Sequence, residues 1–172
     1  MTNDYLEVLN TQKIEEVTKA FQQTNASKLK VALIDDDEMC LRVAKHKLDT
    51  LYKNVLEITS YKTYDEFEKS AENADVVVLD YMYDQQLTQT NGLSLLVKTK
   101  MMKPSPVVYM LTGHRHMHIA VQAMKSGASD FIVKGEGCYD RLAENVYQLL
   151  KKKSTAQRRE SLLSLFSKRM GF

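Results

Sequence analysis

The chain has 172 residues, 44% of them apolar and 27% charged, with a net charge of +2. That is enough for one domain with a full core and some surplus, and the near-neutral balance gives the whole chain no electrostatic case for a nucleic-acid or membrane partner. No apolar run approaches the ~18–20 residues of a membrane-spanning helix, and Met1-Thr2-Asn3-Asp4 lacks the basic, then apolar, pattern of a secretory signal.

Residues 1–27 come first. Leu6, Leu9, Ile14, Val17 and Phe21 recur at helical spacing among polar residues, which predicts an amphipathic helix. Thr24-Asn25-Ala26-Ser27 closes it as a linker. Such a helix either packs on its own domain or frays as a leader, or it serves dimerisation or docking. A strand is predicted over Leu29–Ile34, ending in Asp35-Asp36-Asp37-Glu38. A helix follows over about Met39–Leu51, with Leu41, Ala44, Leu48 and Leu51 on one face. Cys40 in this helix and the distant Cys138 show no ligand spacing and read as reduced thiols in the cytoplasm.

Leu56-Glu57-Ile58-Thr59 alternates apolar and polar, the pattern of an edge strand exposed on one side. Tyr64–Ala71 is a short helix carrying Phe67, with Thr63 or Asp65 as its cap. Val76-Val77-Val78-Leu79 is uninterrupted and mostly β-branched, so it predicts a strand buried on both faces, and it stops at the carboxylate of Asp80. Asp84–Asn91 is polar and aperiodic, a long loop for an α/β unit. A helix over Gly92–Met102 is expected to present Leu93, Leu96, Val97 and Lys100. After Pro104 and Pro106 comes a buried strand, Val107–Leu111, ending at Thr112-Gly113. His118–Ser126 is helical, with Ile119, Val121, Ala123 and Met124 apolar and Gly127 as C-cap. Phe131–Val133 is a last strand ending at Lys134-Gly135, and a helix from about Tyr139 carries Leu142, Val146, Leu149 and Leu150.

The order is βα repeated five times, which predicts an α/β, doubly wound five-stranded parallel sheet with helices on both faces. With strand order 2-1-3-4-5, as in flavodoxin-like folds, the strand ends converge on a crevice between the first and third strands. Asp35, Asp36, Asp80, Thr112 and Lys134 would then surround one pocket. Two like charges about 4 Å apart cost on the order of 4 kcal/mol at an effective dielectric near 20. One lysine does not offset three aspartates, whereas a hard divalent cation does, so the cluster predicts a Mg²⁺ site beside Asp80. A cation there keeps Asp80 ionised and nucleophilic. Thr112 could donate to a phosphoryl oxygen and Lys134 could pair with it. Gly113 would leave the approach to Asp80 open.

Val31–Glu38, Val77–Met82, Val108–Gly113 and Gly127–Lys134 together resemble the receiver domain of two-component response regulators over about residues 28–150. The resemblance implies a stand-alone phosphoryl-accepting switch rather than an enzyme. Asp80 would take the phosphoryl group from a phosphohistidine on a histidine kinase or phosphotransfer protein. Asp35, Asp36 and Asp80, with the backbone carbonyl of Met82, would hold Mg²⁺, Asp35 mainly through a water. Thr112 and Lys134 would hold the phosphoryl oxygens. Phe131 matches the aromatic switch position, and the last two helices of the domain with the fifth strand would form the responding surface. His114, two residues after Thr112, would influence how long the phosphoryl group survives, while His114, His116 and His118 otherwise read as solvated surface or a second metal cluster.

Two loops depart from the family pattern. Pro is absent after Met82, and Asn91-Gly92 comes late, so the loop after the third strand is enlarged. Lys134 is followed by Gly135-Glu136-Gly137 instead of Pro, which predicts a rearranged loop or a trans bond with glycines absorbing the strain. These changes motivate the alternative of a degenerate receiver acting as a constitutive docking scaffold. A dehalogenase-type phosphatase would need a second Asp where Met82 stands. Residues 151–172 are basic, with Leu162, Leu163, Phe166 and Met170 as an apolar stripe. They extend the last helix with a solvated basic face, or they lie on a membrane, meet an acidic partner or touch nucleic acid. Too few residues follow the receiver part for a DNA-binding module, and no nucleic-acid partner is expected.

Overall fold

Successive side chains of a strand point to opposite faces of its sheet, and this chain fills both faces with apolar residues. The computed structural model describes residues 2–24, 26–70, 73–81, 92–102, 105–113 and 117–170, with side chains described from 11 to 166 within those spans. Five strands, β1 (Leu29–Ile34), β2 (Leu56–Tyr61), β3 (Val76–Asp80), β4 (Val107–Thr112) and β5 (Asp130–Val133), pair in parallel in the order β2-β1-β3-β4-β5. This is the predicted doubly wound sheet. Every residue of the central β3 is buried, whereas the edge strand β2 is buried only at its two ends.

On one face Val31, Leu33, Val76, Val78 and Leu111 meet α2 (Glu38–Leu51) and α6 (Cys138–Met170) through Leu41, Ala44, Leu48, Leu142, Val146 and Leu150. The first helix, α1 (Thr2–Gln22), adds Val17 and Phe21 to that layer, with Ile14 packed against it. On the other face Ala32, Ile34, Val77, Leu79, Val108 and Met110 meet α3 (Tyr64–Lys69), α4 (Gly92–Lys100) and α5 (Met117–Lys125). α6 continues unbroken through the basic segment, 33 residues in all, or roughly 50 Å at 1.5 Å per residue.

Caps set the helix starts. Asp37 accepts from the Met39 N–H at 2.8 Å and opens α2. Thr63, not Asp65, caps α3: its hydroxyl accepts from Glu66 N–H at 3.1 Å while Glu66 reaches back to the Thr63 N–H, a capping box. Gly127, at φ +97°, ends α5 in a conformation that a side chain would oppose.

The buried face of α4 differs from the predicted one. Gly92, Leu95, Leu96 and Thr99 are buried, whereas Val97 is 47% exposed and Leu93 and Lys100 are only partly covered. Positions 92, 95, 96 and 99 form a helical face that a search for apolar residues overlooks, because its ends are a glycine and a threonine. Thr99 tolerates burial because its hydroxyl donates to Leu95 O at 2.8 Å and lies 3.1 Å from the Tyr64 hydroxyl. On α5, likewise, Ile119 and Ala123 are buried while Val121 and Met124 are about half exposed.

Candidate functional site

Parallel pairing brings the carboxyl ends of β1, β3, β4 and β5 to one rim. Asp35 follows Ile34 directly, Asp80 and Thr112 are the last residues of their strands, and Lys134 follows Val133. The pairing continues past β5, where Lys134 N–H donates to Thr112 O at 2.7 Å. Asp35, Asp80 and Thr112 are 4%, 2% and 0% exposed, an unusual degree of burial for two carboxylates. Asp36 is exposed at the mouth of the site.

Three carboxylates converge there. Asp35, Asp36 and Asp80 each offer an oxygen, and these atoms lie within 4.8 Å of one another. Lys134 Nζ stands 2.8 Å from Asp35 Oδ2 and 3.4 Å from Asp80 Oδ2. One ammonium therefore faces three carboxyl groups. Burial pushes the Asp35 carboxyl above its ordinary value, against the hydrogen bond and charge of Lys134. Burial pulls the Lys134 ammonium down, but its bond to Asp35 and the charges of Asp80 and Asp35 outweigh this and hold it above its usual range. A set of hard oxygen donors with surplus negative charge fits a small divalent cation such as Mg²⁺.

The turn into α2 orients Asp35. Asp37 N–H donates to Asp35 Oδ1 at 3.0 Å, and Asp35 N–H donates to Tyr61 O at 3.2 Å. Cys40, one turn into α2, lies under the site and lines a small cavity with Asp35, Asp80 and Leu111. Burial pushes its thiol up from its ordinary value. Sequence reading places Cys40 in this helix as a reduced thiol but not beside the site; the signal is its position three residues after the Asp37 cap.

Phe131 is half-buried on β5, packed against the layer of Ile34 and Leu79. It also lines an open hollow with Met117, Ala120, Lys134 and Glu136. Gly135 (φ +152°) and Gly137 (φ +73°) both occupy left-handed backbone after Lys134, so the two glycines shape this loop. Gly113 has nothing within 4 Å of where a Cβ would sit, so the rim beside Thr112 is open. Gly92 is the opposite case: a Cβ there would lie 2.5 Å from Tyr81 Cα, and its N–H donates to Tyr81 O at 3.1 Å. Tyr81 and Gly92, on either side of residues 82–91, are thus tied together immediately beyond Asp80. Met82, the loop itself, His114 and His116 lie outside the described residues; His118 is exposed in the first turn of α5.

The model of the response regulator receiver domain matches residues 31–146. Chemotaxis protein CheY of Listeria monocytogenes is 30% identical over 110 residues, covering 59% of this chain and 83% of that protein. A cyclic di-GMP phosphodiesterase of Thermotoga maritima is 29% identical over 104 residues, covering 60% of this chain, and the match spans only 26% of that longer protein. Among solved structures, the BeF3-activated receiver domain of DrrB superposes with a TM-score of 0.63 at 25% identity, over 72% of this chain and 98% of that one. With the strand order, the rim of carboxylates and the matched span in agreement, the chain belongs to the response regulator receiver family.

Proposed function

We propose that the chain is a phosphoryl-accepting switch in a phosphorelay, with Asp80 as the acceptor. What supports this is the convergence of Asp35, Asp36 and Asp80 within 4.8 Å beside Lys134 at the carboxyl ends of a parallel sheet. In the proposed step a carboxylate oxygen of Asp80 attacks the phosphorus of a phosphohistidine. A P–O bond forms, the P–N bond breaks, and the imidazole leaves with the electron pair. The donor is a histidine kinase or a phosphotransfer protein. Asp35, Asp36 and Asp80, with the Met82 carbonyl, would hold Mg²⁺. A cation bound there neutralises the carboxylates and screens the incoming phosphoryl oxygens.

The protein's own groups do the remainder. Lys134 releases Asp80 and pairs with a phosphoryl oxygen, and the Thr112 hydroxyl donates to another. Thr112 and Phe131 act as the switch pair, since Lys134 N–H is tied to Thr112 O and Phe131 lies on β5, the short strand that leads into Lys134. The surface that changes is α5, β5 and the first half of α6. On this reading the chain works in the cytoplasm as a signalling module, without turnover of a substrate beyond its own phosphorylation and dephosphorylation. Residues 28–150 carry the switch, with 1–27 and 151–172 as additions to it.

Incubation with Mg²⁺ and acetyl phosphate, read by intact mass, tests the proposal. One added phosphoryl group is expected for the wild type and none for Asp80→Ala. No adduct on the wild type, or an undiminished one on Asp80→Ala, would overturn it and favour a constitutive docking scaffold.

A further inference from the structure

Charge is unevenly divided along this chain. Residues 151–172 hold seven Lys or Arg and one acid, Glu160, a net of +6. Since the whole chain carries +2, residues 1–150 are net −4. The boundary is structural as well. Leu150 is the last α6 side chain in the described core, Lys153 Nζ pairs with Asp75 Oδ1 at 2.5 Å, and Ser154 is the last buried residue of the helix among those described. From Thr155 the helix leaves the core layer and continues to Met170. Four large apolar side chains then stand in solvent: Leu162, Leu163, Leu165 and Phe166, 51%, 61%, 63% and 66% exposed.

At about 100° per residue these four fall within an arc of roughly 160°, with Glu160, Ser161 and Ser164 on the opposite side. Arg158 and Arg159 precede the arc, and Lys168 and Arg169 follow it in sequence. An occupant must accept apolar side chains over a broad arc and carry negative charge at both ends. A second copy of the tail supplies the wrong charge, setting +6 against +6, and the arc is wider than a two-helix seam. Nucleic-acid phosphates match the charge but leave the leucines and the phenylalanine in water. An anionic phospholipid surface meets both needs: the apolar arc enters the acyl boundary, and the flanking cations face headgroup phosphates.

We propose that residues 155–170 form an in-plane anchor for an anionic phospholipid surface. The body's negative charge would hold the rest of the molecule off that surface, leaving the Asp80 rim accessible. The test is flotation of the full chain with vesicles of phosphatidylcholine alone or mixed with phosphatidylglycerol. Binding to the mixed vesicles only is expected, weakening steeply as salt is raised. Arg158→Glu with Arg159→Glu should lower binding at least about tenfold, each lost cation being worth about fivefold. Leu162→Ser with Phe166→Ser should lower it by about tenfold or more, at any salt. All four positions are exposed, so circular dichroism should show an unchanged fold. Equal binding to phosphatidylcholine, or indifference to either double variant, would overturn the proposal. So would failure to float at all; concentration-dependent dimerisation lost in the Leu162/Phe166 variant would then assign the face to a second copy, and capture by an acidic protein groove would assign it to a protein partner.

Discussion

Replacing Gly92 by alanine tests how tightly the end of β3 is held. A Cβ at this position would lie 2.5 Å from Tyr81 Cα, 2.8 Å from Tyr81 O and 3.0 Å from Asp80 O. All three are backbone atoms, so no side-chain rotation relieves the overlap. Ordinary contact requires α4 to withdraw by about 1 Å from the strand end, the kind of overpacking that costs roughly 1–3 kcal/mol. Alanine's better helix propensity returns at most about 1 kcal/mol, and less in the first turn. The net cost is therefore about 1–2 kcal/mol, or a fall in Tm of roughly 3–6 °C for a chain of this size. Withdrawal also pulls on the peptide that carries Asp80, so phosphorylation by acetyl phosphate should slow. Gly113→Ala is the matched control, because nothing lies within 4 Å of its Cβ position. Thermal unfolding by circular dichroism decides the matter. If Gly92→Ala melts within about 1 °C of wild type, as Gly113→Ala should, the close approach does not constrain the site and the reasoning fails.

Lys134→Ala should leave Mg²⁺ binding in place, because the three carboxylates remain, while lowering the yield of phosphorylated protein by about tenfold or more through loss of a charge-assisted bond. Calorimetric titration with Mg²⁺ checks the first half, and loss of that binding would refute the division of roles. A pH dependence follows from Asp130, half-buried and bound by Arg141 at 2.6 Å and Asn145 at 2.7 Å. Burial pushes its carboxyl up, but the bonds from Arg141, Asn145 and Phe131 N–H prevail and hold it below 3.8. The unfolded chain therefore takes up this proton first as pH falls. The stabilisation is full above 3.8 and is lost as pH falls through the depressed folded value. The guanidinium is 58% exposed, so the effect is about 1 kcal/mol or less. Asp130→Asn should flatten the acid side of the Tm–pH curve, and an unchanged curve would refute the assignment.

The sheet and the rim were legible because each rests on a local rule. Val76–Leu79 has no polar interruption, and only a strand covered on both faces suits such a run. Asp35, Asp80, Thr112 and Lys134 each end a strand, so predicting parallel order was enough to bring them together. The α4 face was not legible, since Thr99 looks polar until Tyr64, thirty-five residues earlier, is known to meet it. Gly92 reads as a helix start in sequence, and its close approach to Tyr81 emerges only when β3 and α4 are placed. Two readings of α1 stood open from its stripe alone; Val17 and Phe21 are buried because α2 and α6 provide a layer for them, which no local pattern announces.

The long α6 gives the molecule a projecting arm. It begins at Cys138, four residues after Lys134, and runs 33 residues without a break. Leu142, Val146, Leu150 and Ser154 hold its first half in the core, so the projecting arm is Thr155–Met170, roughly 24 Å at 1.5 Å per residue. A bend of about 5° at Ser154 would carry the far end of that arm by roughly 2 Å. The reach of the arm scales with its length, so shortening α6 beyond Ser154 would draw in the basic segment in proportion while leaving the carboxylate rim as it is.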